Sequence, residues 1–393
     1  MTLSFRWIQS MNEVAPAAWD ALAAAHDYPF LRWTWLHHLE ASGSAVISEG
    51  WQTQHLLCFD QDRLIGIAPL YLKSHSRGEF VFDSEWARVA HQVGVTYYPK
   101  LLGMSPFTPA VGYRFLTAAD RDTRDLNRAL LREINRFTQA KGLSGFSFLH
   151  GDAAWVEMMV ELGMNPWYHH GLVWENHDFQ TFDDYLASFR SHQRKNIRRE
   201  RRKIKEQGVA FRVFSGRDIP DEYFDKMYQF YAATCVKYWG YSHYLKQEFF
   251  RGLAADFREH TAFVCAYVAG IESPIAMSFL IHEGDWVFGR YWGSLEEFDF
   301  LHFETCYYQP IEWAIQQGFR YYDAGSGGGR QKKSRGFPAQ LKPSLHRFHS
   351  PIMQRIWADN IEHLNSGEMI QIELINDYKK TVARLEKSGL IER

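Results

Sequence analysis

Residues 286–343 constrain the fold of this chain more strongly than any other stretch. They open with a short aromatic and β-branched segment, WVFGRYWG, which is typical of a β-strand. Apolar residues then recur at helical spacing as far as Gly318, a residue type that commonly ends helices. A second short strand, residues 319–324, leads into a basic, glycine-rich loop. Strand, helix, strand and loop in this order predict an α/β unit with a ligand site where the strands end.

The order of predicted elements is repeated in the two halves of the 393-residue chain. In each half, a strand is followed by helices, a hairpin, a strand, a helix and a strand. We therefore predict an α/β (or α+β) fold with two domains, residues 1–177 and 178–393, each a mixed central sheet flanked by helices. A hydrophobic content of 46% allows a large core and argues against disorder.

Charge and cysteine usage exclude several classes of protein. A net charge of −2 disfavours non-specific binding to duplex nucleic acid. The four cysteines form no CxxC pair, which argues against zinc ribbons and redox motifs. The first residues lack a long apolar segment, so we expect no signal peptide, and no apolar run approaches the roughly 20 residues of a membrane span. We therefore expect a cytoplasmic protein without a transmembrane segment.

Residues 186–207 form the most charged segment and predict a basic helix near the domain junction. Between residues 190 and 205 there are nine Lys or Arg residues and one acid, Glu200. Such crowding of like charges favours an anionic partner, although a solvated charged helix is the alternative. The partners we consider are a phosphate-bearing small molecule, tRNA and an anionic lipid head group. The candidate phosphate contacts are Arg194, Lys195, Arg198 and Arg201.

Two loops supply further candidate binding residues. The loop GSGGGRQKKS lacks the GK[ST] end of a nucleotide-binding P-loop, but its glycines could expose N–H groups to an anion beside Lys333 and Arg335. A surface loop without a ligand is the alternative. In the first half, a Tyr/Pro-rich segment could line a groove or could plug the base of a domain. Its candidate residues are Tyr97, Tyr98, Lys100, Phe107, Thr108 and Arg114.

The helix that follows the strand WVFGRYWG carries the candidate catalytic residues. Glu304 and Tyr308 are four residues apart and therefore share a face of an α-helix. A buried glutamate beside a tyrosine could act as base and acid, although Glu304 could instead only stabilise the helix start. His302 and Tyr307 are the other candidates. His302 and Glu304 do not have the spacing of a zinc-binding HExxH motif, and we predict no metal site.

Three segments together resemble the FemAB-like family of peptidoglycan biosynthesis or recognition, within the GNAT N-acyltransferase superfamily. They are GRYWGSLEEFDFLHFETCYYQPIEWAIQQGFRYYDAG, the RGF after the glycine loop, and NHDFQTFDDYLASFRSHQRKNIRRER. The resemblance implies two tandem GNAT-like domains and the transfer of an acyl or aminoacyl group to an amine. It adds Arg290, Trp292 and Phe337, which lie within these motifs, to the candidate substrate-binding residues.

The resemblance leaves the acyl donor open. Fem-type relatives use aminoacyl-tRNA with a nucleotide- or lipid-linked muropeptide, whereas many GNAT relatives use acyl-CoA. The acyl-CoA enzymes carry a [RQ]xxGx[GA] loop, and the corresponding segment here is the acidic GSLEEFDFLH. We expect no tightly bound cofactor, and a peripheral contact with a lipid-linked precursor.

The leading hypothesis is an N-acyltransferase that acts on a peptidoglycan precursor or a related peptide. Glu304 is the first candidate for the base and His302 the second, with Tyr307 or Tyr308 as proton donor to the leaving group. The alternative hypothesis is a non-catalytic protein of the same fold that binds muropeptide or tRNA.

Overall fold

The computed structural model describes residues 3–81, 83–239, 244–327 and 329–388. The chain divides into two compact units. Unit 1 comprises Met1–His170, Leu341–Leu374 and Thr381–Arg393, and unit 2 comprises Gly171–Gln340 and Ile375–Lys380. The domain limits predicted from the sequence, 1–177 and 178–393, stay a prediction, because compact units need not coincide with the repeats of a tandem fold.

Unit 1 begins with short strands and amphipathic helices. In chain order these are β1 Leu3–Ile8, α1 Pro16–Ala23, α2 Trp33–Ala41, β2 Trp51–Thr53, β3 His55–Asp60, β4 Arg63–Ala68, β5 Tyr71–Lys73, α3 Ser84–Gln92, β6 Lys100–Gly103, β7 Leu116–Thr117, α4 Thr123–Ala140, β8 Gly145–Phe148 and α5 Ala153–Glu161. Four of the strands form an antiparallel sheet in the order β1-β3-β4-β7. The hairpin predicted in the first half of the chain is confirmed as β3 and β4. Gln61 in its turn has the left-handed conformation (φ 55°) that a tight turn requires.

Unit 2 is built around one mixed sheet. Its first strand, β9 Asn165–Glu175, begins in unit 1. The other elements are α6 Phe182–Ala187, α7 Ser191–Glu206, β10 Val209–Ser215, α8 Glu222–Trp239, α9 Gln247–Asp256, β11 Thr261–Val268, β12 Ala276–Glu283, β13 Trp286–Ser294, α10 Leu301–Phe303, α11 Gln309–Gln317, β14 Tyr321–Asp323 and α12 Gly329–Lys333. The strand order is β10-β11-β12-β13-β14-β9. All neighbours are antiparallel except β13 and β14, which run parallel.

The parallel pair in unit 2 creates an opening in the sheet. β13 and β14 are paired over three residues, from Trp286↔Tyr321 to Phe288↔Asp323. β14 then ends, whereas β13 continues to Ser294. Gly289 stands where the strands part, and a Cβ there would lie 3.3 Å from the Ala324 Cα, so glycine allows this close approach. The opening lies at the carboxyl ends of both strands, where the sequence predicted a site.

The predicted helix after β13 is present but is not α-helical throughout. Between α10 and α11, residues Glu304–Tyr308 form a π-helix. Pro310 explains the interruption because it has no N–H to donate to a carbonyl of the preceding turn. Side chains from the sheet satisfy the carbonyls of this turn: Ser278 Oγ donates to the Thr305 oxygen (3.1 Å) and the Tyr322 hydroxyl to the Cys306 oxygen (2.7 Å). Gly318 ends the helix in the left-handed conformation (φ 78°), as predicted.

The basic helix predicted over residues 186–207 corresponds to α7, Ser191–Glu206, and begins later than predicted. α6 ends at Ala187 and α7 begins at Ser191. Arg190 between them is extended (ψ 150°), which breaks the helical path. Ile197 and Ile204 are buried, seven residues apart on one face of α7, and attach that face to the core of unit 2.

After unit 2 the chain returns to unit 1. The remaining elements are β15 Ala339–Phe348, α13 Pro351–Asn376 and α14 Tyr378–Lys387. Within unit 1, β15 pairs with β8, and the strand order there is β15-β8-β6-β5-β2. Trp357 of α13 is buried against Trp86 with ring centroids 4.6 Å apart. The predicted α/β fold class is confirmed, although the long helix α13 was not predicted.

Candidate functional site

A cavity of about 450 Å³ in unit 2 lies where β13 and β14 part. We call it the inner cavity. Its walls are mainly aromatic and apolar, with two basic side chains and no Asp or Glu among the described residues that line it. The lining comprises Tyr231, Thr234, Cys235, Ser278, Phe279, Leu280, Gly289, Arg290, Tyr291, Trp292, His302, Cys306, Tyr307, Tyr322, Ala324, Gly325, Ser326, Gly327, Gln331 and Lys332.

Two of the four predicted catalytic side chains meet in the inner cavity. The ring centroids of His302 and Tyr307 lie 5.3 Å apart, and those of His302 and Trp292 lie 4.5 Å apart. On a regular α-helix, residues five apart point about 140° away from each other. The π-helix adds a residue to the turn and brings them to one side, as its backbone bond from the Gln309 N–H to the Glu304 oxygen shows.

The chemical state of this pair suits proton transfer. Burial, together with the charges of Lys332 and Arg335, lowers the pKa of His302 to about 4, so the imidazole is neutral near pH 7. Burial raises the pKa of Tyr307, so its hydroxyl stays protonated. Neither side chain is hydrogen-bonded to any residue that the structure describes. A neutral imidazole and a protonated phenol are thus both available to a ligand.

Glu304 lies outside the inner cavity. Its side chain is 1% exposed, and its Oε1 accepts hydrogen bonds from Arg201 Nε (3.0 Å) and Gln309 Nε2 (2.7 Å). Arg201 also pairs with Glu312 at 2.6 Å. Burial raises the pKa of Glu304, while the Arg201 charge opposes this rise. This ion-paired carboxylate is in contact with α7, and its predicted role as base stays a prediction.

Tyr308 points to the same side as Glu304. Its hydroxyl donates to Glu200 of α7 and accepts from Arg335 Nε at 2.8 Å. Arg335 also donates to Glu200 Oε2 at 2.8 Å, and its guanidinium lies 3.6 Å from the centre of the Phe303 ring. The structure therefore separates the four predicted catalytic residues: His302 and Tyr307 line the inner cavity, whereas Glu304 and Tyr308 contact α7.

A buried lysine is hydrogen-bonded to the backbone of the glycine loop. Lys332 is 2% exposed, and its ammonium donates to the backbone oxygens of Gly325 and Ser326. Lys332 and the loop form one wall of the inner cavity. Lys333 lies in a separate surface groove beside Trp174. Phe337 is fully buried and packs against the rings of Tyr307 and Tyr322, two residues that line the cavity.

The cations of α7 are only partly available to a ligand. Arg201 is paired internally, and Arg194 is half-buried. An exposed stripe runs along the helix and includes two of the four predicted contacts, Lys195 and Arg198. It consists of Lys195, Arg198, Arg199 and Arg202. Of these, Arg198 lies 3.4 Å from Asp183 and Arg202 lies 3.5 Å from Glu206, and Lys195 and Arg199 have no acidic partner within 4.0 Å in the described chain.

The predicted binding residues of the Tyr/Pro-rich segment are packed inside unit 1. Lys100 pairs with Glu79 at 2.8 Å and with Asp83, which also accepts hydrogen bonds from Tyr97 and Tyr98. The other three are equally engaged: Phe107 and Thr108 are buried, and Arg114 pairs with Asp152. Their predicted role in a groove stays a prediction.

Several lining residues were missed by sequence reasoning. Tyr231 and Thr234 come from α8, Ser278 from β12 and Tyr322 from β14. They belong to elements far apart in sequence, and no local motif marks them. Pro310 within a helical pattern was the one available signal of the altered helix beneath the site.

A family model described as FemAB-like, peptidoglycan biosynthesis/recognition, matches residues 10–380. No curated protein matches the chain in sequence. In structure, FemX is similar with a TM-score of 0.54 and 12% identity, covering 90% of this chain and 99% of FemX.

Two further solved structures share the fold. The C-terminal domain of a proposed lysylphosphatidylglycerol synthetase from Agrobacterium fabrum has a TM-score of 0.53 and 8% identity, covering 91% of this chain and 99% of that one. A conserved protein of unknown function from Bacteroides thetaiotaomicron has a TM-score of 0.51 and 10% identity, covering 88% and 100%. Among the described helices, none combines the length and apolar character needed to cross a bilayer.

Proposed function

The chain belongs to the FemAB-like family of peptidoglycan biosynthesis or recognition, and on this premise we propose that it is an N-acyltransferase that moves an acyl or aminoacyl group to an amine. The observation that carries the proposal is the meeting of His302 and Tyr307 in the inner cavity, beside the parted ends of β13 and β14. Amide formation needs a proton acceptor for the amine and a proton donor for the leaving group, and this pair supplies both.

In the proposed reaction, the neutral amine attacks the carbonyl carbon of an ester or thioester. A C–N bond forms, and the C–O or C–S bond breaks. His302 takes the proton that the nitrogen loses, and Tyr307 donates a proton to the departing oxygen or sulfur. The imidazolium then returns its proton to Tyr307, so the products are an amide and an alcohol or thiol.

We propose that a β-bulge stabilises the oxyanion of this reaction. In the pairing of β12 with β13, Phe279 faces Tyr291 and Leu280 faces Gly289, so Arg290 is an extra residue. Arg290 lines the inner cavity. A bulge changes the direction of the backbone N–H groups relative to the regular ladder, and an N–H group aimed at the oxyanion would stabilise it.

For the donor, we propose an aminoacyl ester of tRNA in preference to acyl-CoA. The segment between β13 and α10 carries the acids Glu296, Glu297 and Asp299 in place of the [RQ]xxGx[GA] loop of the acyl-CoA enzymes. The exposed cations of α7 would hold the phosphates of a nucleic acid. As acceptor we propose a peptidoglycan precursor or a related peptide, in keeping with the family.

A donor screen read by mass spectrometry tests the function. Purified protein is mixed with charged tRNAs, acetyl-CoA or longer acyl-CoAs, and with muropeptide precursors or simple amines. We expect the wild-type protein to form amide product from charged tRNA. The double variant Lys195→Glu/Arg199→Glu should lose this product, and the double variant Arg194→Glu/Arg198→Glu is measured beside it for comparison. Product from acyl-CoA would overturn the donor assignment. Binding of these ligands without product from any donor would contradict the enzyme proposal and favour a binding protein.

A further inference from the structure

A second cavity of about 810 Å³ adjoins the inner cavity in unit 2. We call it the outer groove. Thr234, Trp292 and His302 line both, so the two meet at the imidazole. The outer groove is lined by Thr234, Lys237, Trp292, Ser294, Leu295, Glu296, Glu297, Phe298, Asp299, Phe300, Leu301, His302 and Phe303.

The two cavities differ in charge. In the described lining of the inner cavity, Arg290 and Lys332 are basic, His302 is neutral near pH 7, and no residue is acidic. The described lining of the outer groove has one basic residue and three acidic ones, Glu296, Glu297 and Asp299. A ligand that passes from the groove to the cavity therefore moves from an acidic to a basic environment.

The three acids of the groove are not equivalent. Glu297 pairs with Lys237 at 2.8 Å, and Asp299 pairs with Lys203 at 2.6 Å. Glu296 is exposed, and no basic group in the described chain lies within 4.0 Å of its carboxylate. Its backbone N–H donates to Ser294 Oγ, a bond that does not depend on its side chain. Glu296 thus offers the groove an uncompensated negative charge.

The segment that carries these acids is held in a defined conformation. Phe300 is left-handed (φ 68°), which is rare for a bulky residue and requires support from its surroundings. The support comes from α7: Gln207 exchanges hydrogen bonds with the backbone of Asp299, and Lys203 pairs with its carboxylate. Aromatic side chains lie beside the acids, and aromatic faces attract cations.

We propose that the outer groove is the entrance for the amine and selects acceptors that arrive as cations. The inference rests on the proposed acyl transfer and adds the side from which the amine enters the cavity. The acids attract the ammonium form from solution. At the junction, the nearby cations of the inner cavity favour loss of its proton, so the amine reaches the carbonyl as the neutral nucleophile.

Equilibrium binding of matched probes tests the charge separation. Pentylamine, pentanol and hexanoate share an alkyl chain and differ in charge, and ligand-detected NMR measures the affinity of each for the full-length protein. We expect Glu296→Lys to weaken pentylamine about three- to tenfold, with a smaller loss in Glu296→Gln and in 500 mM NaCl. Pentanol should be unaffected, and hexanoate unaffected or strengthened.

The matched control is Glu362→Lys, the same change at an exposed residue of α13, and it should leave all three affinities unchanged. The proposal is overturned if pentylamine binds the wild-type protein and Glu296→Lys equally, or fails to bind the wild-type protein. These measurements involve no turnover. A protein that forms no amide but shows the Glu296 effect would contradict the enzyme proposal alone, and one that forms amide without the effect would contradict the charge separation alone.

Discussion

At the residue scale, the site depends on which side chains of one helix reach the inner cavity. Sequence reasoning ranked Glu304 above His302 because a buried carboxylate next to a tyrosine is a plausible base. The structure pairs Glu304 with Arg201 and leaves the His302 imidazole without a hydrogen-bonding partner in the described chain. We now favour His302 as the base because it lines the inner cavity beside Tyr307, whereas Glu304 lies outside that cavity and is paired with Arg201. We assign Glu304 to positioning the helix against α7.

Replacement of His302 should separate the two candidates. We expect His302→Gln to reduce kcat/KM about 10²- to 10⁴-fold, because proton transfer by a positioned side chain contributes that much. Glu304→Gln should retain more activity, since it keeps a hydrogen-bond acceptor for Arg201. Steady-state kinetics of both variants with the active donor decides the matter. Full activity in His302→Gln with loss in Glu304→Gln would restore the original assignment.

The pH dependence of stability gives an independent measure of His302. Its pKa falls from 6.5 to about 4 on folding, so between these values the unfolded chain binds more protons. The neutral histidine therefore contributes stability above pH 6.5 that is lost as the pH falls towards 4. Urea unfolding should show His302→Gln gaining roughly 1–3 kcal/mol relative to wild type between pH 7 and 4. A constant difference across this range would contradict the burial of a neutral imidazole.

At the scale of elements, the π-helix between α10 and α11 depends on the sheet beneath it. Pro310 removes a donor, and Ser278 and Tyr322 supply hydroxyls to the carbonyls of the turn. Two strands thus hold in place the turn that sets His302 beside Tyr307. A helix with five residues in its π turn persists only where such neighbours satisfy its backbone.

Loss of one of these hydroxyls should destabilise unit 2. Tyr322→Phe leaves the ring in place but removes the donor to the partly buried Cys306 oxygen, at a cost of about 0.5–1.5 kcal/mol. Urea unfolding measures the loss, and Tyr378→Phe serves as control because Tyr378 is 67% exposed. Equal stability of Tyr322→Phe and wild type would mean that this bond does not support the π-helix.

At the scale of the whole molecule, unit 1 is completed by residues from the end of the chain. β15 adds a strand beside β8, and α13 buries Trp357 against Trp86, Phe348 and His346. The two compact units are therefore not consecutive halves of the sequence.

A core substitution near the C terminus should accordingly weaken unit 1. We expect Trp357→Ala to cost about 3–5 kcal/mol, as is typical when a buried aromatic side chain is removed. Hydrogen exchange should show the loss in β8 and α3 of unit 1. Ile352→Ala, at a half-exposed position of the same helix, should change stability by less than about 0.5 kcal/mol. Protection lost only outside unit 1 would contradict this division of the chain.

The sequence by itself determined the α/β class, the β3–β4 hairpin, the helix that ends at Gly318 and the family. Each of these depends on local pattern: apolar periodicity, turn residues and long motifs. The order of the elements also predicted the place of the inner cavity, at the ends of β13 and β14. Sequence also placed His302 and Tyr307 among the candidates.

Only the tertiary structure decided which candidates share a cavity. One additional residue in a helical turn rotates every side chain before it relative to those after it, and periodicity read as α-helix does not report that rotation. The same holds for α7, where Arg201 turns inward because Glu304 and Glu312 lie opposite it. The direction of these side chains depends on contacts between elements distant in sequence, and a local sequence pattern does not report such contacts.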